Sequence, residues 1–408
     1  MKILVTGAKG FIGRNLIEEL KRQGHEILTY DIDNTEEQLD EYTKNCEFVY
    51  HLAGVNRPEN PEDFMSGNFG FTSTLLDSLK KHGNKAPVML SSSIQAELDN
   101  PYGRSKKAGE ELIFQYGKDN GVKVYVYRFP NVFGKWCRPN YNSAVATFCH
   151  NIARNLPIQV NETNPTLTLV YIDDLVKELV NALNGEANIN TANTSIRYSG
   201  CRKNEDQHDH AYCSVPEQYQ VKLLDIVNML YTFKESRKDL YIPDMRDSFT
   251  KKLYATYLSY LPEDKFSYEL TMHCDARGSF TEMLKSSERG QVSVNISKPG
   301  ITKGNHWHST KNEKFIVVSG KARISFRKIG STEVISYDVS GDKIEAVDIP
   351  PGYTHSITNT GETDLVTVMW ANEPFDPNNP DTYYEEVQPG QQSCKNSAGR
   401  AIKHTNRR

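Results

Sequence analysis

The sequence predicts two different folds in one chain: a doubly wound, mostly parallel α/β sheet, followed by an all-β barrel or sandwich. Strand and helix patterns alternate with short loops over residues 1–262, which is typical of a parallel sheet covered by helices. From Phe266 onward the helical spacing ends, and short alternating apolar runs are separated by Gly, Pro and Asp turns. We therefore predict domains at residues 1–262 and 266–387, followed by a polar, disordered tail at 388–408.

The composition excludes several classes of protein. The chain has 408 residues and a net charge of −4, so nothing indicates an electrostatic nucleic-acid binder. No apolar run reaches membrane-spanning length, and the first predicted strand begins too early for a signal peptide. The seven cysteines are scattered and odd in number, which argues against a disulfide framework and favours a cytoplasmic location.

A glycine-rich turn follows the first predicted strand. The segment from Gly7 to Gly13, GAKGFIG, has G-x-x-G-x-x-G spacing and leads directly into a helical pattern. Because glycine has no side chain, the backbone can approach a pyrophosphate at the N-terminus of that helix. We therefore predict a Rossmann-like dinucleotide site with five contacts in this turn: Gly7, Gly10, Phe11, Ile12 and Gly13.

The end of the second predicted strand bears on the choice between NADH and NADPH. Asp31 lies where a carboxylate would accept hydrogen bonds from the ribose hydroxyls of NADH and repel a 2′-phosphate. Lys9 and Arg14, in the glycine turn and helix, could pair with that phosphate instead, so the sequence leans towards NADH and leaves both cofactors open. Two more predicted cofactor contacts follow the third strand: Leu52 and Ala53.

The stretch from Pro87 to Lys106 carries the predicted catalytic group. An apolar strand ends in three serines, and a loop then leads to Tyr102 and Lys106 at Y-x-x-x-K spacing. Residues four apart share a face of a helix, so the Lys106 ammonium would lie beside the Tyr102 phenol and lower its pKa. With a serine to hold a substrate oxygen, the group would move a proton while a hydride moves. Y-x-x-x-K alone also fits an ordinary helix surface.

The segments TGAKGFIG, HLAG, SSS, YGRSK and RFPNVFG together resemble the extended short-chain dehydrogenases/reductases that act on nucleotide sugars. The resemblance implies three catalytic residues: Ser93, Tyr102 and Lys106. Ser91 and Ser92 are the alternative serines. Tyr102 and Lys106 are also expected to contact the cofactor, and Ser93 and Asn131 to contact the substrate.

The polar segment from Asn188 to Glu217 holds two cysteines and two histidines. Cys201, His208, His210 and Cys213 have the spacing C-x6-H-x-H-x2-C, which matches no common zinc pattern. We interpret this segment as a solvated loop rather than a metal-binding knot.

The second domain contains the predicted metal site. His306 and His308 form an H-x-H pair whose imidazoles point to one face of a strand, and Glu313 follows five residues later. His355, further along the chain, supplies a third imidazole. Imidazole and carboxylate ligands suit Zn²⁺, Fe²⁺, Ni²⁺ or Mn²⁺, and zinc is the first choice among them.

The segments around these four residues resemble the two cupin motifs, G-x5-H-x-H-x4-E-x6-G and P-x-G-x2-H-x3-N, which implies a jelly-roll barrel. Ile344 replaces the glycine that usually stands six residues before the proline, and Gly341 is the nearest glycine. The segment Asp275–Glu282 also resembles the opening strand of cupin-type 3,5-epimerases. Over Met1–Val387, a reductase followed by a cupin resembles the bifunctional enzymes of capsular polysaccharide biosynthesis.

That resemblance implies the substrate and the reaction. The cupin would epimerise C3 of a UDP-linked 4-keto-6-deoxy-N-acetylhexosamine, and the first domain would then reduce C4 with NADPH. The product would be UDP-2-acetamido-2,6-dideoxy-L-talose, on the route to UDP-N-acetyl-L-fucosamine. The metal would stabilise an enolate oxygen as a Lewis acid or close a structural tetrahedral site. The acid and base of the cupin stay unassigned among three candidates: Lys303, Tyr353 and His308.

Two other functions remain open. One is a 4-ketoreductase with a single activity, whose cupin only binds sugar or holds the expected homodimer together. The other is a dinucleotide sensor without enzymatic activity, although such relatives tend to lose the Tyr/Lys pair that this chain retains at Tyr102 and Lys106.

Overall fold

The computed structural model describes residues 1–160, 162–189 and 212–388. The chain divides into two compact units, Met1–Glu235 with Asp244–Phe266, and Ser236–Pro243 with Ser267–Arg408. The main division after Phe266 falls at the end of the predicted boundary segment, 262–266. The short segment Ser236–Pro243, which lies within the predicted first domain, groups with the second unit.

The first unit alternates strands with helices, as predicted. Its strands are β1 (Lys2–Thr6), β2 (Glu26–Tyr30), β3 (Phe48–His51), β4 (Val88–Ser93), β5 (Val124–Phe129), β6 (Asn131–Phe133), β7 (Thr166–Tyr171), β8 (Tyr212–Cys213) and β9 (Tyr219–Lys222). Its helices are α1 (Phe11–Arg22), α2 (Glu36–Asn45), α3 (Phe71–Lys81), α4 (Pro101–Asn120), α5 (Ala144–Ala153), α6 (Ile172–Leu183), α7 (Leu223–Asp239) and α8 (Ser248–Leu258). The last turn of α7 lies in the segment grouped with the second unit.

The main sheet of the first unit is parallel, with the strand order β2-β1-β3-β4-β5-β8. β1 pairs with β2 on one side and with β3 on the other, so the order reverses at β1. In doubly wound sheets, ligands bind at the carboxyl ends of the strands beside this switch point. The glycine turn at residues 7–13 leaves β1 at that end, which places the predicted dinucleotide site where the topology favours one.

Local sequence explains how α4 is held at the same edge of the sheet. The Asn100 side chain accepts a hydrogen bond from the Gly103 N–H at 2.8 Å, and Pro101 occupies the first turn, where its missing N–H costs nothing. Gly121 ends the helix in the left-handed conformation, with φ of +61°. Its buried face, which includes Ile113 and Phe114, packs into the core of the sheet.

A second, smaller sheet completes the first unit. β7 pairs in parallel with β6 and antiparallel with β9. A separate apolar core joins this sheet to α5, α7 and α8 through residues such as Phe148, Ile226 and Leu253. The helical patterns at Leu223–Phe233 and Asp247–Leu261, which predict a small substrate lobe within the first domain, fall in α7 and around α8.

The second unit consists of strands in two antiparallel sheets. Their orders are β10-β11-β12-β19-β14-β17 and β16-β15-β18-β13-β20. The strands are β10 (Met272–Asp275), β11 (Gly278–Ser286), β12 (Gly290–Ser297), β13 (Thr302–Trp307), β14 (Glu313–Ser319), β15 (Lys321–Lys328), β16 (Val334–Ser340), β17 (Ala346–Ile349), β18 (Tyr353–Asn359), β19 (Leu365–Ala371) and β20 (Tyr383–Tyr384).

The apolar core of this unit lies between the two sheets. Phe315, Val317 and Leu365 come from one sheet, and Ile324 and Ile357 from the other, and all five are buried. The predicted fold class, a parallel α/β sheet followed by an all-β domain, is therefore confirmed. In the described part of the chain, no helix is long and apolar enough to span a membrane.

Candidate functional sites

The first unit contains a cleft of about 1420 Å³ at the carboxyl edge of its main sheet. The glycine turn, the end of β2, the loop after β3, the end of β4 and the start of α4 all contribute to it. The cleft is lined by all the residues that the sequence predicts for cofactor, substrate and catalysis in this domain: Gly7, Gly10, Phe11, Ile12, Gly13, Asp31, Leu52, Ala53, Ser93, Tyr102, Lys106 and Asn131.

Two glycines allow close approaches that a side chain would prevent. Gly7 has φ of +67°, and a Cβ atom there would lie 2.7 Å from the backbone nitrogen of Ala53. A Cβ at Gly54 would lie 2.9 Å from the Lys106 Nζ and 2.9 Å from the Asn68 Oδ1. The second glycine, in the HLAG segment, therefore lets the lysine and the asparagine pack against the loop after β3.

Asp31 lies in the cleft with its carboxylate already engaged by the backbone. It accepts hydrogen bonds from the N–H groups of Lys9 at 2.7 Å and Ile32 at 2.8 Å. The Lys9 ammonium forms an ion pair with Asp33 at 2.6 Å, which raises the pKa of Lys9 and lowers that of Asp33. Arg14 instead lies over the ring of Trp136, 6.0 Å from its centroid, at the cleft wall.

Ser93, Tyr102 and Lys106 come together as the sequence predicts. The Ser93 side chain lies close enough to the Tyr102 phenol to lower its pKa, and the Lys106 Nζ lies 5.8 Å from the centre of the Tyr102 ring. Lys106 also donates a hydrogen bond to the Ser91 carbonyl at 3.2 Å. The alternative serine, Ser92, points to the other side of β4 and is buried.

Burial governs the pKa values of this group. It raises the pKa of Tyr102, and the neighbouring Ser93 side chain offsets only part of that rise. Burial also lowers the pKa of Lys106 to about 8, while the nearby Glu110 carboxylate favours the ammonium. The expected lowering of the Tyr102 pKa by Lys106 is therefore not the dominant effect here. Near pH 7 the phenol is neutral and has a proton to donate.

A buried polar network lies behind Ser93, Tyr102 and Lys106, and no local sequence pattern indicates it. Glu110 is 1% exposed and accepts hydrogen bonds from the hydroxyls of Ser92 and Tyr212. It also receives two hydrogen bonds from the Arg128 guanidinium, from Nε at 2.9 Å and from NH2 at 2.6 Å. These contacts connect β4, α4, β5 and β8 one helical turn below Lys106.

Three asparagines hold the edges of the site. Asn68 bridges Val55 and Ser105 through both ends of its amide, so it braces the loop after β3 against α4. The Asn131 side chain donates a hydrogen bond to the Thr168 carbonyl at 3.2 Å. Asn56, which sequence reasoning missed, accepts a hydrogen bond from the Tyr102 hydroxyl at 3.0 Å.

In the second unit, the four predicted metal ligands form one cluster. The candidate donor atoms of His306, His308, Glu313 and His355 all lie within 4.8 Å of one another. A one-residue bulge at Asn305, which has φ of +59°, lets β13 bring His306 opposite His355 in the ladder with β18. The Nε2 atoms of His308 and His355 each lie 3.6 Å from a Glu313 oxygen.

The chemistry of this cluster fits a divalent metal. The Nε2 atoms of His308 and His355 are buried and have no hydrogen-bond partner among the described residues, an arrangement that is costly unless something binds there. Burial of Glu313 opposes its ionisation, but His308 and His355 hold its pKa well below the usual range. Burial and the neighbouring His355 and His308 lower the pKa of His306 to about 4, so its imidazole is neutral.

Asp381 supports the cluster from outside, and sequence reasoning missed it. The Nδ1 atom of His308 lies 2.7 Å from the Asp381 carbonyl oxygen, which sets Nδ1 as the protonated nitrogen and leaves the Nε2 lone pair free. The Asp381 carboxylate accepts hydrogen bonds from the N–H groups of Ser309, Thr310 and Lys311. The segment that precedes β20 therefore fixes the histidine ring and the loop after it.

The three candidates for the acid and base of the second domain have other contacts. Lys303 donates to the Asn295 side chain at 2.6 Å and to the Ile296 carbonyl at 2.9 Å. Tyr353 packs against the apolar core, and His308 belongs to the cluster. A cavity of about 310 Å³ beside the cluster is instead lined by charged residues that sequence reasoning missed: Glu282, Lys311 and Glu373.

The cysteine and histidine segment of the first unit falls largely outside the described residues. Cys201, His208 and His210 lie in the range 190–211, of which nothing is described. Cys213 is buried in β8, and burial raises the pKa of its thiol to about 11. The interpretation of this segment as a solvated loop stays a prediction.

Comparison with known proteins matches both units. Residues 3–194 match the NAD dependent epimerase/dehydratase family, and residues 273–383 match the polysaccharide biosynthesis C-terminal domain. Over 384 residues, the chain is 46% identical to the UDP-2-acetamido-2,6-beta-L-arabino-hexul-4-ose reductase of Pseudomonas aeruginosa, covering 94% of this chain and 98% of that protein.

Solved structures match over nearly the whole chain as well. The crystal structure of the capsular polysaccharide assembling protein CapF from Staphylococcus aureus has a TM-score of 0.86 at 52% identity, covering 95% of this chain and 100% of that one. The structure of CapF with the inhibitor 3-isopropenyl-tropolone has a TM-score of 0.82 at 48% identity, with the same coverage.

Proposed function

Because the chain belongs to the family of CapF and the UDP-sugar 4-ulose reductases, as its motifs implied, we propose that it is bifunctional. Its first unit reduces the C4 ketone of a UDP-4-keto-6-deoxy-N-acetylhexosamine, and its second unit first epimerises C3. The product is UDP-2-acetamido-2,6-dideoxy-L-talose. The reductase assignment rests on one observation. Ser93 and Lys106 lie beside Tyr102, and all three line the same cleft as the glycine turn.

The residues of the first unit divide the work of reduction. The Ser93 hydroxyl is positioned to hold the C4 ketone, and the neutral Tyr102 phenol is positioned to give the new alcohol its proton. The Lys106 ammonium favours the phenolate that remains, because the two groups are close and partly shielded from water. The glycine turn and Asp31 would hold NADH or NADPH, which supplies the hydride.

The chemistry of the sugar requires epimerisation before reduction. A C4 ketone makes the C3 hydrogen acidic, because its loss gives an enolate, and reduction at C4 removes that acidity. The second unit supports the assignment by offering a cavity of about 310 Å³ next to the histidine and glutamate cluster. The polysaccharide biosynthesis domain that it matches is also consistent with a role on nucleotide sugars.

We propose that the cluster holds one divalent metal, with zinc as the first choice. His306, His308, Glu313 and His355 would be its ligands. The unpartnered buried Nε2 atoms and the His308–Asp381 contact support this assignment. When bound, the ion would supply Lewis acidity or, with four protein ligands, close the site structurally.

One experiment tests both activities. The protein is incubated in D₂O with the UDP-4-keto-6-deoxy-N-acetylhexosamine, with and without NAD(P)H, and followed by NMR. We expect deuterium at C3 without cofactor, and the C4 alcohol only with it. Failure to form the alcohol would overturn the reductase assignment.

The matched Pseudomonas aeruginosa relative is named as a reductase alone, which favours a second candidate with a single activity. In that case the second unit only binds sugar or holds two copies of the chain together as a dimer. Absence of C3 exchange together with normal C4 reduction would establish this alternative. Our expectation of a homodimer is tested by sedimentation equilibrium of the purified chain, and a monomer would contradict it.

A further inference from the structure

The cavity beside the metal cluster has mixed walls. One part is aromatic and apolar, and another consists of charged side chains together with two members of the cluster, His306 and Glu313. Such a combination suits a sugar ring, whose faces are apolar and whose edges are polar. The remaining lining residues that matter here are Phe280, Glu282, Gln291, Lys311, Trp370, Glu373 and Phe375.

Most charged groups of the cavity already have partners. Glu282 forms an ion pair with Lys285 at 2.7 Å, and Lys311 lies 3.4 Å from a Glu313 oxygen. Glu373 is half-buried, and within the described chain its side chain has no hydrogen bond and no ion pair. It is therefore the carboxylate of this cavity that is free to act on a ligand.

The backbone on both sides of Glu373 is firmly held. The Asn372 N–H donates to the Asn312 carbonyl at 3.1 Å, and the Asn312 N–H donates to the Asn372 side chain at 3.0 Å. The Phe375 N–H donates to the Gln291 side chain at 3.2 Å. These contacts fix the short segment that carries Glu373 against β12 and the start of β14.

The sheet register places this segment next to the cluster. Ala371, the last residue of β19, is the ladder partner of Glu313, the first residue of β14. Glu373 follows two residues later and faces the cavity that His306 and Glu313 also line. A ligand in the cavity would therefore lie between the cluster and the free carboxylate.

We propose that Glu373 is the base that removes the C3 proton of the ketosugar, which rests on the proposed epimerase function. The C3–H bond breaks, the proton passes to a Glu373 carboxylate oxygen, and the electron pair moves onto the C4 oxygen as an enolate. A proton that returns to C3 from the opposite face, drawn ultimately from water, inverts the centre. No oxidant or reductant takes part.

The aromatic wall supports this role. Phe280, Trp370 and Phe375 line one side of the cavity, and the Trp370 indole is held by a hydrogen bond from Nε1 to the Arg289 carbonyl at 2.7 Å. The same wall offers a flat surface for the apolar face of the sugar.

The test is the Glu373→Gln variant of the full chain, with Glu373→Asp and Glu362→Gln beside it. Glu362 is an exposed acid of the same unit and serves as the matched control. We expect Glu373→Gln to slow C3 deuterium exchange by about 10²-fold or more. Glu373→Gln should match the wild type in three other respects: its metal content by mass spectrometry, its melting temperature, and its rate of C4 reduction with substrate already epimerised at C3. Glu373→Asp should retain partial exchange.

Several outcomes would overturn the proposal, and they are distinguishable. Wild-type exchange in Glu373→Gln would remove Glu373 from the chemistry and leave the epimerase assignment standing. Loss of metal in Glu373→Gln would show that the residue supports the cluster rather than acting as the base. Absence of exchange in the wild-type protein itself would refute the epimerase function together with the base.

Discussion

The Tyr102 hydroxyl donates a hydrogen bond to the side-chain oxygen of Asn56 at 3.0 Å. The loop after β3 therefore orients the phenol that we propose as the proton donor for reduction. Tyr102→Phe should abolish oxidation of NAD(P)H by the ketosugar and leave C3 exchange unchanged, because the second activity uses other residues. Absorbance at 340 nm and NMR measure the two reactions. Cofactor oxidation at the wild-type rate in this variant would refute the assignment.

The reductase should lose activity in mildly alkaline solution. Burial lowers the pKa of Lys106 to about 8, so its ammonium is present below that pH and is lost above it. The Tyr102 phenol stays protonated throughout this range because its own pKa is raised. We expect kcat/KM for reduction to fall above about pH 8, and the decrease should approach tenfold for each further unit of pH. A profile that is flat to pH 10 would show that the lysine charge is not needed.

Metal binding should depend on the ligands and on their support. Purified protein should contain about one divalent ion per chain, since the cluster forms one four-ligand site. His306→Ala or His355→Ala should lose it. Asp381→Ala should weaken binding by about 10- to 100-fold, because the His308 ring and the following loop lose their anchor. Competition with a chromogenic chelator measures the affinity, and retention of metal in both histidine variants would place the site elsewhere.

Cofactor preference should respond to the charge at Asp31. The carboxylate lies in the cleft at the end of β2, where a 2′-phosphate would meet like charge, costing about 1 kcal/mol or more at an effective dielectric of ~20. We expect the wild type to use NADH effectively. Asp31→Asn retains an acceptor for the Lys9 N–H and should shift the kcat/KM ratio about tenfold towards NADPH. If the wild type strongly prefers NADPH and Asp31→Asn does not change that preference, the proposed role of Asp31 is wrong.

Stability of the first unit should depend on Glu110. Glu110→Ala leaves the Arg128 guanidinium, whose side chain is only 13% exposed, without its main partner, and removes the carboxylate that accepts from the hydroxyls of Ser92 and Tyr212. Breaking such a buried pair from one side costs about 3–5 kcal/mol. Glu111→Ala, at the exposed neighbouring position, should change stability little. Urea unfolding, followed by a signal from the first unit, compares the free energies of unfolding of the two variants. Equal losses of stability would contradict the role of the network.

The sequence predicted those features that depend on local spacing. The glycine turn, the Y-x-x-x-K pair and the H-x-H pair each have a periodicity that places side chains on one face, and all three fall where expected. Asn56, Glu110 and Asp381 act through partners distant along the chain, and Glu373 lines a cavity that distant segments build, so no local pattern indicates these roles. Lys303 illustrates the opposite error. Its place in a sequence motif made it a candidate acid or base, but its ammonium donates hydrogen bonds to the Asn295 side chain and the Ile296 carbonyl.

The anchoring of His308 by Asp381 also sets an order of events during synthesis on the ribosome. All four metal-cluster residues have been translated by residue 355, yet the acceptor that orients the His308 ring comes 73 positions after it. Until Asp381 has emerged from the exit tunnel, the nascent domain has its histidines without the contact that fixes one of them. Stable binding of the proposed ion should therefore wait until Asp381 has emerged, and a product truncated before residue 381 should compete poorly for metal.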